Sequence, residues 1–192
     1  MTKGRARIYD TLALLIVIII IGVDQWTKAL VVAHLSPFDT GPHINLIDQY
    51  LVLYYIRNYG VAFSLFANSV VLIGLIIIAI GVIVYMYARM VNNGSLAIKL
   101  IFGLIIGGAL GNIIDRVRHS GYVVDFIAFS IPQIKFYFAI FNIADAAISV
   151  GVFLLFVMLL FGSIHRPRTA SDVNSSAQSQ DDSLGNQQKG TL

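Results

Sequence analysis

A membrane all-α fold with a small β element is the class this sequence predicts, and three observations predict it. The chain is 57% hydrophobic and 12% charged over 192 residues. Its mean hydropathy is +0.80, outside the range of ordinary soluble domains. The apolar residues also gather into four long runs, each near the ~20 residues that cross ~30 Å of hydrocarbon. Four transmembrane helices are therefore expected, with short outer segments that include a small sheet and an interfacial segment.

Taken in order, Lys3, Arg5 and Arg7 precede a first span from Thr11 to Ala29. A basic start followed by apolar Leu12 to Val23 has the pattern of a secretory leader. Asp24 and Lys28, however, come before the one weak cleavage candidate, Val31 to Ala33, so an uncleaved helix is expected. Pro37, Gly41, Pro42 and Asn45 mark turns, and the β-branched, leucine and aromatic run Tyr50 to Ile56 suits a strand. The second span is expected over Asn68 to Ala88, with Arg89 and Lys99 flanking the inner turn, and the third over Ile98 to Ile114. Gly121 to Phe138 is too interrupted for a span and too apolar for an ordinary loop, which predicts a segment lying on the membrane surface.

A fourth span, Ile143 to Phe161, is followed by Arg166 and Arg168. The excess of Lys and Arg near these ends predicts both termini in the cytoplasm. From Thr169 the chain is rich in Ser, Gln, Asn and Asp and buries too little apolar surface to offset its ordering entropy. This gives a membrane domain over residues 1–168 and a disordered tail over 169–192. Lys28, Arg57, Arg116, Arg118 and Lys135 fall on the outer side and need a reason other than topology.

Several chemistries are excluded early. The chain has no cysteine, hence no disulfide, thiol nucleophile or thiolate metal site. Its basic balance, 13 Lys and Arg against 10 Asp and Glu, forms no patch interleaved with aromatics, so nucleic acid is not an expected partner. His34, His43, His119 and His165 are scattered without ligand spacing, so neither a metal nor another cofactor is expected. Ser64 and Ser130 have no neighbouring base or glycine-flanked elbow.

Span direction then places the polar residues by depth. Asp24 and Lys28 fall one turn apart in the outer third of the first helix; Asn112, Asp115 and Arg116 fall at the outer end of the third. Asn142 and Asp145 start the fourth, and Asp125 lies between the last two. Four segments thus deliver polar groups to one outer level, while the inner ends are expected to carry only topological Lys and Arg. Charge beside hydrocarbon costs roughly 2.5 to 3.5 kcal/mol, so such residues read as functional. Two neighbouring carboxylates cannot both ionise easily; sharing a proton, one can serve as general base on water and the other as general acid.

Five strings in this order resemble lipoprotein signal peptidase, or signal peptidase II, the bacterial membrane aspartic peptidase family. Asp24-Gln25-Trp26-Thr27-Lys28 is similar to its D-x-x-T-K box, and Asn58-Tyr59-Gly60-Val61-Ala62-Phe63 to its N-x-G-x-A-F box. Gly107 to Arg116 is similar to G-G-A-x-G-N-x-x-D-R, and Val123-Val124-Asp125-Phe126 and Phe141-Asn142-Ile143-Ala144-Asp145 to the two elements that carry the aspartates. Each string alone is weak; five in register on one side of the membrane are specific. The resemblance covers Leu12 to Phe161 and leaves the polar tail outside.

The resemblance implies four membrane helices with an outer β-sheet cradling the site. It implies a prolipoprotein substrate whose cysteine carries a diacylglyceryl group, cut on the N-terminal side of that cysteine. Asp125 and Asp145 would hold the lytic water, with Asn58, Asn112, Arg116 and Asn142 as the surrounding polar shell. Asp24 and Lys28 are expected to shape the site as an ion pair, Asp115 to fix the third helix or the outer segment, and Gly60 to support the shell. Gly107, Gly108 and Gly111 offer either close helix packing or room for substrate. Such an enzyme would work as a monomer in the bacterial inner membrane with its site at the outer face. A small transporter relaying protons through the same acids is the rival from another class; it leaves the Asn and Arg shell unexplained, as does a non-enzymatic scaffold.

Overall fold

Backbone amides in hydrocarbon find partners only within helices or closed barrels, and the computed structural model opens on a helix. It describes residues 3–38, 40–60 and 95–162, with positions 74, 77, 78, 81, 83–85 and 87–89. Helix α1 is Lys3–Leu35. At 1.5 Å per residue it is about 50 Å long, longer than the predicted span because nothing stops it before Pro37.

Helix α2 is Leu96–Arg118 and helix α3 is Ile143–Gly162, both close to the predicted third and fourth spans. Ser95 caps α2 by accepting from the Ile98 amide at 3.4 Å. At the other end the Gly121 amide returns to the Arg116 carbonyl at 2.8 Å, with Gly121 at φ 106°, a conformation suited to glycine. Among the described residues two helices are long and apolar enough to cross a membrane, Gly4–Leu35 and Leu96–Arg118; Ile143–Met158 is a shorter apolar stretch. The second predicted span lies mostly outside the described residues, although Gly74, Ile77, Ile78, Gly81, Ile83 to Tyr85 and Tyr87 to Arg89 are helical. The predicted tail also lies outside them. Everything below concerns the unit formed by residues 1–155; α3 from Phe156 on belongs to a second unit.

The sheet is larger than the single predicted strand. Its four antiparallel strands run in the order β1 (Ile44–Ile47), β2 (Leu51–Asn58), β3 (Val123–Ile131) and β4 (Phe136–Tyr137). The segment predicted to lie as a surface stretch is therefore β3, a 3-10 turn at Pro132–Ile134 and β4. Its Val, Ile and Phe residues are good strand formers, and pairing with β2 satisfies backbone groups that a bare surface segment would leave open. One face packs on the C-terminal end of α1: Val31, Leu35, Tyr55, Val124 and Phe126 make a buried cluster.

A bulge in β2 sets which residues share the other face. Leu53 pairs with Ile127 but Ile56 pairs with Asp125, so β2 holds one extra residue between them. Asn58, two residues past Ile56 and opposite Val123, thereby lands on the face that carries Asp125. Phe141, just before α3, bridges back to Ile127 through amide bonds of 2.8 and 3.1 Å. That bridge brings the start of α3 beside β3.

Small residues let the helices meet. A Cβ on Gly107 would sit 3.0 Å from the Ile20 Cβ of α1, and one on Gly108 would collide with the Ala144 carbonyl of α3. The start of α2 needs a correction. Lys99, read as a topology signal, is fully buried, with Nζ 2.5 Å from Asp10 Oδ1, and the Tyr87 hydroxyl donates to the same oxygen at 2.9 Å. Burial among apolar helices is the reason: a charge there needs a counter-charge, whereas a topological lysine stays in water.

Candidate active site

The carboxylate at Asp125 is held on both oxygens. Asn58 Nδ2 donates to Oδ2 at 2.7 Å and Asn142 Nδ2 to Oδ1 at 2.6 Å. Asn58 is itself fixed by its Oδ1, which accepts from the Gly60 amide at 2.8 Å; Gly60 sits at φ 86°, where a side chain would be strained. Asp125 is 1% exposed. Burial first, and the charge of Asp145 after it, push its pKa up from 3.8 to about 6, against the opposing hydrogen bonds from Asn58 and Asn142 and the charge of Lys28.

Asp145 is half-buried and belongs to the N-terminus of α3. Asn142 Oδ1 accepts from the Asp145 amide at 2.9 Å, and Asp145 Oδ2 accepts from the Asn142 amide at 3.3 Å. This reciprocal pattern is a capping box. The two residues that begin the helix thus also point into the site. Asn112 Nδ2 donates to the remaining oxygen of Asp145 at 2.7 Å.

Lys28 decides which way Asn112 faces. An ammonium only donates, and its Nζ lies 3.1 Å from Asn112 Oδ1, so the Asn112 amide nitrogen is turned toward Asp145. The same Nζ bridges Asp24 Oδ2 at 2.8 Å and Asp115 Oδ2 at 3.0 Å. The two acids then reach further: Asp24 Oδ1 accepts from the Ala144 amide at 3.0 Å, tying α1 to the first turn of α3, and Asp115 Oδ2 accepts from the Val124 amide at 3.0 Å, tying α2 to β3. Asp24 thus bonds to Lys28 and to the first turn of α3, and Asp115 to Lys28 and to β3. A Cβ on Gly111 would lie 2.7 Å from Asp24 Oδ2, which is why glycine stands there.

Arg116 is half-buried and makes no ion pair with a described carboxylate. Its Nη1 donates to the Asn112 carbonyl at 3.3 Å, and its Nε is buried without a hydrogen-bond partner among the described residues. All ten residues expected at the site are thus brought to one level. Gln25 was missed: its Nε2 donates to Asp115 Oδ1 at 2.8 Å, to the Gly111 carbonyl at 3.2 Å and to Asp24 Oδ2 at 3.3 Å. Its place beside Asp24 inside the first box was the available signal. The Val61, Ala62 and Phe63 positions of the second box lie outside the described residues. Among the described residues no group of three or more His, Asp or Glu is placed to hold a metal ion.

Beside Asp145 and Asn58 opens a groove of about 480 Å³. Phe138, Ile140 and Phe141 line it from the segment before α3, and Ser149 and Val150 from α3 itself. Its polar lining is Asn58, Asp145 and Ser149.

The family model described as signal peptidase (SPase) II matches residues 16–161. The chain belongs to the signal peptidase II family. Within that family it is 36% identical over 151 residues to the lipoprotein signal peptidase of Caldanaerobacter subterraneus subsp. tengcongensis, covering 78% of this chain and 97% of the relative. To the lipoprotein signal peptidase of Mesorhizobium japonicum it is 41% identical over 158 residues, covering 81% and 89%. A solved bacterial membrane enzyme aligns with a TM-score of 0.69 at 29% identity, over 83% of this chain and 93% of that one. The signal peptidase II match runs from α1 into α3 and so takes in every residue of the carboxylate network.

Proposed function

We propose that this signal peptidase II removes the signal peptide from diacylglyceryl-modified prolipoproteins, cutting N-terminal to the lipidated cysteine with water activated by Asp125 and Asp145. One observation carries the mechanism: two carboxylates oriented through Asn58, Asn112 and Asn142, one of them with its pKa raised to about 6, at the end of an apolar groove. The network holds four carboxylates, Asp24, Asp115, Asp125 and Asp145, against two cations, Lys28 and Arg116. Such a buried surplus of negative charge favours retention of one proton by the catalytic pair.

In the reaction, the ionised member of the pair removes a proton from water while the oxygen attacks the scissile carbonyl. The protonated member donates to the carbonyl oxygen. The Nε of Arg116, without a partner among the described residues, is a donor for substrate carbonyl oxygen, and its charge resists neutralisation. Collapse of the tetrahedral intermediate breaks the C–N bond, the leaving amine takes a proton from the pair, and the products are the signal peptide carboxylate and the amino-terminal lipidated cysteine. No metal or cofactor enters these steps.

The same reading places four spanning helices in the bacterial inner membrane, both termini in the cytoplasm and the site at the outer face, with a membrane domain over 1–168, a separate tail over 169–192 and a monomer as the working unit. The groove beside α3 supports lateral entry, the lipid chains remaining in the bilayer. The test is cleavage of a diacylglyceryl-modified prolipoprotein by the purified protein in chelator, beside Asp125→Asn and Asp145→Asn variants checked for folding. Wild type should cut before the lipidated cysteine and both variants should not. Cleavage by either folded variant would defeat the paired-acid mechanism, and an inactive wild type would defeat the substrate assignment.

A further inference from the structure

A second polar cavity, of about 290 Å³, lies between α1 and the end of α2, lined by Gln25, Lys28, Ala29, Val32, Arg118 and His119, with Ala33 at its edge. Its cations stand at the outer end of a membrane helix, where the topological bias disfavours them. The carbonyl dipole at the end of α2 accounts for part of this charge. It does not account for His119, whose ring lines the cavity and stacks on Tyr122 with centroids 5.0 Å apart; its Nδ1 is buried with no hydrogen-bond partner among the described residues. Arg118 is exposed, and its one hydrogen bond here is from Nη1 to Gln25 Oε1 at 3.2 Å, leaving guanidinium donors for a further acceptor.

Among the described residues no acid lines the cavity. Asp24 and Asp115 are buried behind Lys28 and take their donors from Lys28, Gln25 and the Ala144 and Val124 amides. Trp26, next to Gln25, is 64% exposed, as suits a side chain at headgroup depth. We propose that this cavity holds the phosphate group of an anionic phospholipid headgroup, bound by Arg118 and His119 over the apolar side chains of Ala29 and Val32. The site backs onto the catalytic network, since Lys28 lines the cavity and also holds Asn112, the residue bonded to Asp145.

The test is binding, and it does not depend on peptidase activity. Full-length protein in neutral detergent is titrated with dihexanoyl phosphatidylglycerol, with dihexanoylglycerol and with inorganic phosphate, read by native mass spectrometry and by the unfolding midpoint. The phospholipid should bind at one site; Arg118→Gln and His119→Gln should each weaken it roughly tenfold or more. Ala33→Trp, which fills the cavity without altering charge, should do the same. Competition by inorganic phosphate at matching concentrations would identify free phosphate as the ligand of the same site. Equal binding of dihexanoylglycerol, absence of phospholipid binding, or variants that bind like wild type while keeping its lipid-free unfolding midpoint would overturn the proposal.

Discussion

Asn58→Ala removes one hydrogen bond from Asp125 Oδ2, and its consequence can be worked through in sign and size. That bond favours the ionised carboxylate, so its loss must raise the pKa of Asp125 above the present value of about 6. A hydrogen bond to a charged group is worth roughly 1.5 to 3 kcal/mol, or about one to two pH units at 1.36 kcal/mol each. In the proposed mechanism the pair works with one proton, so the alkaline limb of kcat/KM would report its loss. In Asn58→Ala that limb should move to higher pH by about one unit, whatever happens to the absolute rate. The assay is cleavage of a lipidated prolipoprotein from about pH 4 to about pH 9, extracting kcat/KM for both proteins. A limb that stays in place or moves to lower pH would refute the assignment of the raised acid.

Stability gives an independent reading of the same group. The folded pKa of Asp125 lies above its ordinary value, so between pH 3.8 and about 6 the native state binds more protons than the unfolded one. Stability from this group is therefore present in acid and lost as pH rises through about 6, by roughly 3 kcal/mol in all. Asp125→Asn, inactive but folded, should lack this component, so its unfolding midpoint should fall less than that of wild type across the same window.

Three further perturbations separate the parts of the network. Lys28→Met leaves Asp24 and Asp115 buried without their shared cation and should cost about 3 to 5 kcal/mol; Lys28→Met combined with Asp24→Asn should recover part of that loss in the unfolding midpoint. Gly108→Ala drives a methyl group into the Ala144 carbonyl and toward the Ile148 side chain, which should destabilise by about 1 to 3 kcal/mol, measurable by denaturant titration. Asn142→Asp keeps a good helix N-cap but sets an acceptor against Asp125 Oδ1 where a donor stands at 2.6 Å; it should stay helical by circular dichroism and lose cleavage by more than about tenfold, about what one lost charge-assisted bond costs.

What the sequence exposed was depth, and what it hid was pairing. Runs of apolar residues located α1, α2 and α3 because a helix that is to cross hydrocarbon needs about 20 of them, and the same reasoning put Asp24, Asn112 and Asp145 at one level. β3 escaped because Val123 to Ile131 has no alternation that distinguishes a strand from a surface segment; only pairing with β2 makes it one. The bulge between Leu53 and Ile56 left no signature either, although it is what turns Asn58 toward Asp125. The Asp10–Lys99 pair was illegible for a different reason. A lysine near the end of a span serves equally as a topology signal or a buried ion, and 89 residues separate it from its partner.

The location of the proposed chemistry at helix ends has a physical cause. A helix in a membrane satisfies its own backbone except at its termini, where amides and carbonyls are left open. Here the open amides at the start of α3 are met by Asp24, Asn142 and Asp145, and the first turn of a helix favours carboxylate charge. The capping requirement and the catalytic requirement therefore select the same residue types at the same positions. A substitution that removes Asp145 alters both, which is why activity loss alone cannot assign its role. Asn142→Asp keeps the cap while reversing the donor and so tests the two requirements separately.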